Sequence, residues 1–372
     1  MAVGFPTKVN YATGDVLSAT NMNDLSGTVN LLESAQYAAG KNKIINGDFG
    51  INQRGFTSTT SDNINTFDRW RTFKGGGGTS TYSAETFTPG AAPVAGYEGK
   101  NFTQLITASQ SAAGDYSLYI NLIESVRTLA GQTATISFWA KASSGTPKIA
   151  GEMFQHFGTG GAPSSNVSTA AGAVTISTSW ARYSLTVAVP SISGKTIGTN
   201  NNDYLGLYFW FSAGSSFASR ASSIGNQNNT FQIWGVQLEN GSTASPFQTA
   251  TGNPQSELAA CQRYYVRKAV TSAYGRLGGF GVATATNQIY VDVTLPVNFR
   301  TSTVSIDYGG ALGVASQEGI FASFSSVTNS GSVGNNSTVY FVLSSGSMTV
   351  ARSYYLQDNA AGTAYLGFSA EL

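Results

Sequence analysis

Strand-length segments with a strict period of two recur through the middle of the chain, separated by stretches rich in Gly, Ser and Asn. Residues 134–141, 181–189, 204–211 and 231–239 all show this alternation, which is typical of β-strands with one buried face. In the third of them, one face is predicted to carry Leu205, Leu207, Phe209 and Phe211, and the other Tyr204, Tyr208 and Trp210. Because no helical pattern interrupts these segments, we predict an antiparallel sandwich of jelly-roll type.

The last of these segments ends with the turn residues Asn240-Gly241. Its alternation predicts Trp234, Val236 and Leu238 on one face, with Gln237 and Glu239 on the other. We therefore expect a half-buried strand that closes the middle domain and precedes a hinge to the next one.

Composition supports an all-β protein with a substantial core. Charged residues make up 10% of the chain, against the usual ~25%, and 43 glycines accompany 41% hydrophobic residues. The net charge is +1 and no basic stripe is present, which argues against binding to nucleic acid.

The sequence also limits the compartment and the crosslinks. Cys261 is the single cysteine, so an intrachain disulfide is impossible. The first residues lack the pattern of a signal peptide, and no apolar run is long enough for a membrane span. We expect synthesis in a cytoplasm without membrane insertion, and release, if any, by a route that needs no signal peptide.

Local patterns predict an arm and a helix in the N-terminal region. Residues 1–17 are predicted to form an extended arm, and residues 19–37 a helix with an apolar heptad seam at Met22, Leu25, Val29 and Leu32. An isolated helix of this length is marginal in water. The seam must therefore be buried by its own domain or by copies of itself. A short coiled coil of a few chains is favoured, and a helix packed on a neighbouring protein is the alternative.

A second β-pattern follows a predicted helical turn at residues 257–265. Strands are predicted at 289–295, 304–308, 339–343 and 365–372, with a long loop at 328–337. The predicted domains are an arm and helix (1–40), a jelly roll (41–250) and a smaller C-terminal β-sandwich (251–372).

Several motifs together resemble bacteriophage tail-fibre or tail-associated proteins. They are Ile45-Asn46-Gly47-Asp48-Phe49, Asp68-Arg69-Trp70, Ser137-Phe138-Trp139-Ala140-Lys141-Ala142, Gln232-Ile233-Trp234-Gly235-Val236-Gln237-Leu238-Glu239 and Cys261-Gln262-Arg263-Tyr264-Tyr265. The N-terminal Tyr11-Ala12-Thr13-Gly14-Asp15 is similar to the arm that attaches such proteins to a particle. The first and last strands of the middle domain also resemble carbohydrate-binding modules of jelly-roll fold.

The resemblance implies a homotrimer in the virion tail that contacts tail or adaptor proteins through residues 1–40. It also implies recognition of a host-surface glycan, taken here to be polysaccharide. Two alternatives stay open. One is an architectural virion protein (a collar, baseplate or head fibre) without a ligand, and the other is a polysaccharide depolymerase of tailspike type.

Sugar binding needs flat aromatic faces together with amides or carboxylates. On these grounds the glycan-binding candidates are Trp139, Glu152, Tyr208 and Trp210 in the middle domain, and Tyr354 and Tyr355 near Gly-rich loops of the last domain. The alternative is that a loop or a neighbouring chain covers these aromatic residues. If the last domain is distal, its loops are the favoured receptor site.

No constellation for catalysis is visible, and we expect neither an enzyme nor a cofactor. The 19 acidic residues show no pair at useful spacing on one predicted strand face. His156 and Cys261 lack the partners that a nucleophilic or zinc site requires, and we expect Cys261 to be buried. Asp68-Arg69 is expected to form a local ion pair or a turn. Asp48 and Glu239 either hold a structural calcium, as the resembled modules often do, or are surface or salt-bridged acids, which we favour.

Overall fold

The computed structural model describes residues 39–94, 97–316, 321–333, 336–343, 347–359 and 361–372. The predicted arm and the seam residues Met22, Leu25, Val29 and Leu32 lie outside this part of the chain. Within it the architecture is all-β apart from one α-helix and a short 3-10 turn. None of the described helices combines the length and the apolarity needed to cross a membrane.

Two antiparallel sheets built from residues 58–240 form a jelly-roll sandwich, as predicted. The first sheet has the order β1 (Ser58–Thr59), β3 (Thr79–Thr86), β4 (Asn101–Ala108), β11 (Thr230–Asn240), β6 (Thr133–Ala142) and β9 (Ala181–Ala188). The second has the order β2 (Trp70–Gly75), β5 (Tyr116–Glu124), β10 (Tyr204–Ala213), β7 (Lys148–His156) and β8 (Val167–Thr175). The chain passes repeatedly from one sheet to the other, which is the jelly-roll arrangement.

The period-two alternation places side chains as predicted in most strands. The core between the sheets contains Leu205, Leu207 and Phe209 of β10 together with Ile136 and Phe138 of β6. Tyr208 and Trp210 lie on the outer face of the second sheet, in a separate cluster. The apolar positions of this strand therefore specified its buried face.

Strand β11 departs from the predicted alternation because it contains a bulge. Trp234 pairs with Trp139, and the next paired residue, Gln237, lies opposite Ser137, so three residues of β11 span two of β6. The bulge places Trp234 on the same face as Gln237, whereas Leu238 faces the core. The prediction that Trp234 shares a face with Leu238 was wrong. Both faces of β11 are buried, because residues 245–250 cover the outer one.

The C-terminal strands form a closed barrel and a small sheet, rather than the predicted smaller sandwich. Helix α1 (Pro254–Gln262) precedes a three-stranded sheet of order β12 (Tyr265–Ala269), β20 (Tyr365–Ser369) and β15 (Ser305–Gly309). The barrel has the order β13 (Arg276–Ala285), β14 (Gln288–Thr294), β18 (Asn336–Leu343), β17 (Phe321–Val333), β16 (Leu312–Ala315) and β19 (Ser353–Asp358).

The predicted loop at 328–337 belongs largely to the hairpin of β17 and β18. Its Ser, Thr, Asn and Gly residues favour turns locally, but pairing with neighbouring strands overrides that preference. Cys261 is buried in α1, as predicted.

The two groups of sheets meet at a polar junction. Arg69 donates to the Glu371 carboxylate, and its guanidinium lies 3.4 Å from the centre of the Tyr264 ring. Arg54 also pairs with Glu371, at 3.4 Å. Asp68 accepts hydrogen bonds from Gln53 rather than pairing with Arg69. Asp68-Arg69 is therefore a turn, as predicted, but its arginine binds the end of the chain. Since these contacts join the sandwich to the C-terminal sheets, the domain boundary after residue 250 stays a prediction.

Candidate functional site

Three of the predicted glycan-binding residues lie beneath a segment of the same chain. Residues 214–226 cover this outer face of the second sheet. Glu152 and Trp210 are at most 1% exposed, and Tyr208 is 7% exposed. Trp210 Nε1 donates to Glu152 Oε2 at 2.9 Å, and Arg220 of the covering segment pairs with Glu152 Oε1 at 2.8 Å. The outer face of the second sheet therefore matches the alternative prediction, in which a loop covers these aromatic residues.

The other three candidates are also enclosed. Trp139 packs on Trp234 and Phe247, with ring centroids 5.5 and 5.9 Å away. Tyr354 is fully buried and its hydroxyl accepts a hydrogen bond from Thr349 N, whereas Tyr355 donates to Ser316 O. Since less than a tenth of any of the six residues is exposed, the geometry gives no support to stacking of sugars on them.

Exposed aromatic rings occur elsewhere, in the C-terminal part. Phe280 is 66% exposed, Tyr274 61%, Tyr290 43% and Tyr308 39%. None of these four residues is among the six glycan-binding candidates predicted from the sequence. The alternation of β13 and β14 predicts that Phe280 and Tyr290 point outward, opposite the buried Ile289 and Val291. It does not predict that no other segment covers this outer face of the barrel.

A pocket of about 730 Å³, which we call the linker pocket, opens near the start of α1. Its walls come from three segments: residues 48–51 before the first strand, residues 97–100 before β4, and residues 247–257, which lead into α1. From the sequence, Asp48 is predicted to be either a calcium ligand or a surface or salt-bridged acid. The pocket itself is not predicted, because its lining segments are distant in sequence.

Tyr97 forms an aromatic wall of the linker pocket and is held from two sides. Its hydroxyl donates to Asp48 Oδ2 at 2.7 Å. Its ring packs edge-on against Trp234 and Phe247, each with a centroid distance of 5.4 Å. Burial, reinforced by the neighbouring Asp48 carboxylate, raises the pKa of Tyr97, so the phenol stays neutral and keeps its proton for this bond.

The other residues of the linker pocket differ in how many hydrogen bonds they already form within the chain. Glu257 accepts hydrogen bonds from Asn46 N, Thr251 N and Thr251 Oγ1, and burial raises the pKa of its carboxyl. At the rim, Glu98 accepts one bond from Gly90 N, through Oε2. The amine of Lys100, which is exposed, makes no hydrogen bond or ion pair to the described residues. The pocket thus offers a fixed ring together with a donor and acceptors at its mouth.

The two acids considered as calcium ligands both have partners within the chain. Asp48 accepts from Gly50 N and Tyr97, whereas Glu239 accepts from Ser245 and Gln237 and pairs with Lys41, so these acids serve separate networks. Across the described residues, no three His, Cys, Asp or Glu side chains form a group that could hold a metal ion.

The residues considered for nucleophilic chemistry also have separate surroundings. His156 Nδ1 lies 2.9 Å from Asn166 Oδ1, and its ring packs on Tyr204. Cys261 is buried, and burial raises the pKa of its thiol well above the ordinary value. A buried, protonated thiol is a poor nucleophile.

Neither a protein-family model nor a curated protein matches the chain. Among solved structures, a family 11 carbohydrate-binding module from Clostridium thermocellum, in complex with a β-1,3-1,4-mixed-linked tetrasaccharide, is similar with 12% identity. It covers 51% of this chain and 99% of its own, with a TM-score of 0.29. A module named CBM4 is 16% identical over 53% of this chain and 99% of its own, with a TM-score of 0.28.

The enzymatically active domain of tailspike protein 4 from bacteriophage CBA120 is also similar. It is 13% identical and covers 54% of this chain and 21% of its own, with a TM-score of 0.29. Similarities of this size transfer neither a ligand nor an activity to this chain.

Proposed function

We propose that this protein is a non-enzymatic, glycan-recognising component of a bacteriophage tail, and that its linker pocket binds a polysaccharide of the host surface. The observation that supports this most is the lining of that pocket. Tyr97 offers an aromatic surface fixed by Asp48, and Glu98 and Lys100 stand at the rim with hydrogen-bonding capacity left. Rings for the apolar face of a sugar and polar groups for its hydroxyls are what glycan recognition requires.

Binding without hydrolysis is supported by the hydrogen bonds of Glu257, the most buried acid of the pocket. A glycosidase needs one carboxyl group to protonate the leaving oxygen and another to act as nucleophile or base. Both carboxylate oxygens of Glu257 accept hydrogen bonds from Asn46 and Thr251. We therefore expect no release of reducing ends when the protein is incubated with a polysaccharide that it binds. Such release would favour the depolymerase alternative.

Binding is tested on an array of bacterial surface polysaccharides, with three variants of the full chain. Lys100→Ala and Glu98→Ala each remove an exposed rim group, and we expect each to weaken binding by about tenfold, as the loss of one charged hydrogen bond does. Lys148→Ala is the matched control, because Lys148 is equally exposed and lies outside the pocket. It should bind as the unchanged protein does.

Two outcomes would contradict the proposal. Equal binding by all variants would place the glycan elsewhere on the molecule. Absence of binding to any polysaccharide would favour an architectural virion protein, a function that the covered aromatic residues of the sandwich also fit.

The proposed trimer is tested by light scattering on the full chain and on a form lacking residues 1–40. We expect the full chain to have three times the chain mass, since the seam of Met22, Leu25, Val29 and Leu32 is proposed to join three copies. Removal of residues 1–40 should then yield monomers. A trimer that survives truncation would place assembly in the β-structure, and a monomeric full chain would contradict the trimer.

A further inference from the structure

A second, smaller pocket of about 210 Å³ lies in the C-terminal part, where the ends of several strands meet. Tyr308 at the end of β15, residues 309–312, Ser323 and Phe324 of β17, and Asn359 after β19 line it. We call it the Tyr308 pocket. None of its lining residues is charged. An ion inside it would lack a charged partner, so its lining favours a neutral ligand.

The aromatic side chains of the Tyr308 pocket play different parts. Tyr308 is 39% exposed, and its hydroxyl has no hydrogen-bond partner among the described residues. Phe324 is partly buried and packs on Phe341, with ring centroids 4.3 Å apart. Phe324 thus forms a rigid apolar surface, while Tyr308 leaves part of its ring to a ligand.

Two polar side chains of the Tyr308 pocket are available to form hydrogen bonds with a ligand. The side-chain amide of Asn359 and the hydroxyl of Ser323 make no hydrogen bonds within the described part of the chain. An amide supplies two donors and an acceptor, and a hydroxyl supplies one donor and an acceptor. In the linker pocket, by contrast, the buried carboxylate of Glu257 is already occupied.

The backbone holds Asn359 in place before any ligand arrives. Its N–H donates to Ala311 O at 2.8 Å. The preceding Asp358 is buried and accepts hydrogen bonds from the N–H groups of Ala361, Gly362, Thr363 and Ala364 at 2.7–3.0 Å. A site held this way loses little conformational entropy on binding.

Gly310 allows the walls of the pocket to approach closely. It has a φ of +66°, and a Cβ there would lie 2.1 Å from the carbonyl oxygen of Thr363. The turn between β15 and β16 therefore packs directly on the turn that Asp358 organises.

We propose that the Tyr308 pocket binds one neutral sugar residue, such as the terminal residue of a glycan. Its volume is below the ~300 Å³ at which pockets for larger ligands begin, which matches a single ring. The partly exposed Tyr308 ring faces the apolar side of the sugar, and Asn359 and Ser323 bond its hydroxyls. This site lies in a different part of the chain from the linker pocket and does not depend on the proposed function of that pocket.

Saturation-transfer NMR on the full chain tests the proposal with four neutral probes: the methyl glycosides of glucose, galactose, mannose and N-acetylglucosamine. We expect saturation transfer to at least one of them and weaker transfer to glucuronate and glucosamine, whose charges the pocket cannot pair. Tyr308→Ala and Asn359→Ala should each lower the affinity about tenfold, the effect of losing one ring contact or one hydrogen-bonded pair. Tyr308→Phe keeps the ring and should retain most of the binding.

Two exposed residues outside the pocket provide controls of the same residue types. Tyr274→Ala removes a ring that is 61% exposed, and Asn287→Ala removes an exposed amide, both outside the pocket. Both should bind as the unchanged protein does. Absence of saturation transfer to all four glycosides would overturn the proposal. Full binding by Asn359→Ala would also overturn it, and this second test remains valid if Tyr308→Ala does not fold. Loss of binding in Lys100→Ala alone would assign the sugar to the linker pocket instead.

Discussion

Asp115 shows how one carboxylate can organise loops at the residue scale. It accepts hydrogen bonds from the backbone N–H groups of Ser111, Ala112 and Gly77 at 2.7–2.9 Å. These bonds favour the ionised form and lower the pKa of Asp115 from its ordinary value of 3.8 to about 2. The carboxylate thereby joins the loop before β3 to the loop before β5.

Asp115 should contribute a pH-dependent part of the stability. Its pKa is lower in the folded chain than in the unfolded one, so its contribution is complete above about pH 4 and is lost as the pH falls to about 2. We expect Asp115→Asn to lower the Tm at pH 7 and to flatten the fall in Tm between pH 4 and 2, measured by circular dichroism. Asp292→Asn, which alters an exposed carboxylate bonded to Thr338, should keep the original slope. An unchanged slope in Asp115→Asn would contradict this role.

At the element scale, the bulge in β11 explains how residues 245–250 cover the outer face of this strand. Gly235 adopts a φ of +64°, and the bulge turns Trp234 outward against Tyr97 and Phe247. It also frees Val236 N to donate to Gly47 O at 2.8 Å. A Cβ on Gly47 would lie 2.1 Å from Val236 O, which explains the glycine in the Asn46-Gly47-Asp48 motif.

Gly235→Ala should destabilise the chain for two reasons, which a matched control separates. A Cβ there would lie 2.7 Å from the Trp139 ring, and the left-handed backbone costs a non-glycine residue about 1–2 kcal/mol. Gly55→Ala has nearly the same φ, +63°, but its Cβ would meet nothing within 4 Å. In urea unfolding we expect Gly235→Ala to lose about 1–3 kcal/mol more than Gly55→Ala, the usual cost of overpacking. Equal losses would show that the Trp139 contact is not tight.

At the scale of the whole molecule, two of the motifs from which the resemblance was drawn, residues 68–70 and 261–265, contribute to the junction between the sandwich and the C-terminal part. Arg54 and Arg69 from the sandwich meet Glu371, and Arg263 and Tyr264 bind Glu124. The guanidinium groups of Arg54 and Arg69 also lie over the rings of Tyr265 and Tyr264. These segments therefore have a structural explanation that needs no ligand.

Glu371→Gln should weaken this junction more than Glu124→Gln does. The Arg69–Glu371 pair is buried, and removing one partner of such a pair costs about 3–5 kcal/mol because a buried charge is left uncompensated. Arg263 and Glu124 are each more than a third exposed, and solvent screening limits such a pair to about 0.2–1 kcal/mol. Differential scanning calorimetry should show the larger fall in Tm for Glu371→Gln. Equal falls would mean that Glu371 does not hold the two parts together.

The sequence alone predicted the fold class and much of the core. Alternation assigned Leu205, Leu207 and Phe209 to the interior and Trp210 to the opposite face, because side chains along a strand alternate whatever the strand packs against. The burial of Cys261 and a helix near residues 257–265 were predicted from equally local signals. The helix begins earlier, at Pro254, with the Asn253 side chain accepting a hydrogen bond from Ser256 N.

The candidate sites depended on contacts that only the tertiary structure supplies. Alternation distinguishes one face of a strand from the other, but it does not show that residues 214–226 cover Trp210 and Glu152, or that a bulge reverses Trp234. The linker pocket combines segments separated by up to about two hundred residues, and the Tyr308 pocket forms where the ends of β15, β17 and β19 meet. Local side-chain patterns determine which elements form, whereas long-range packing determines which of their surfaces remain available to a ligand.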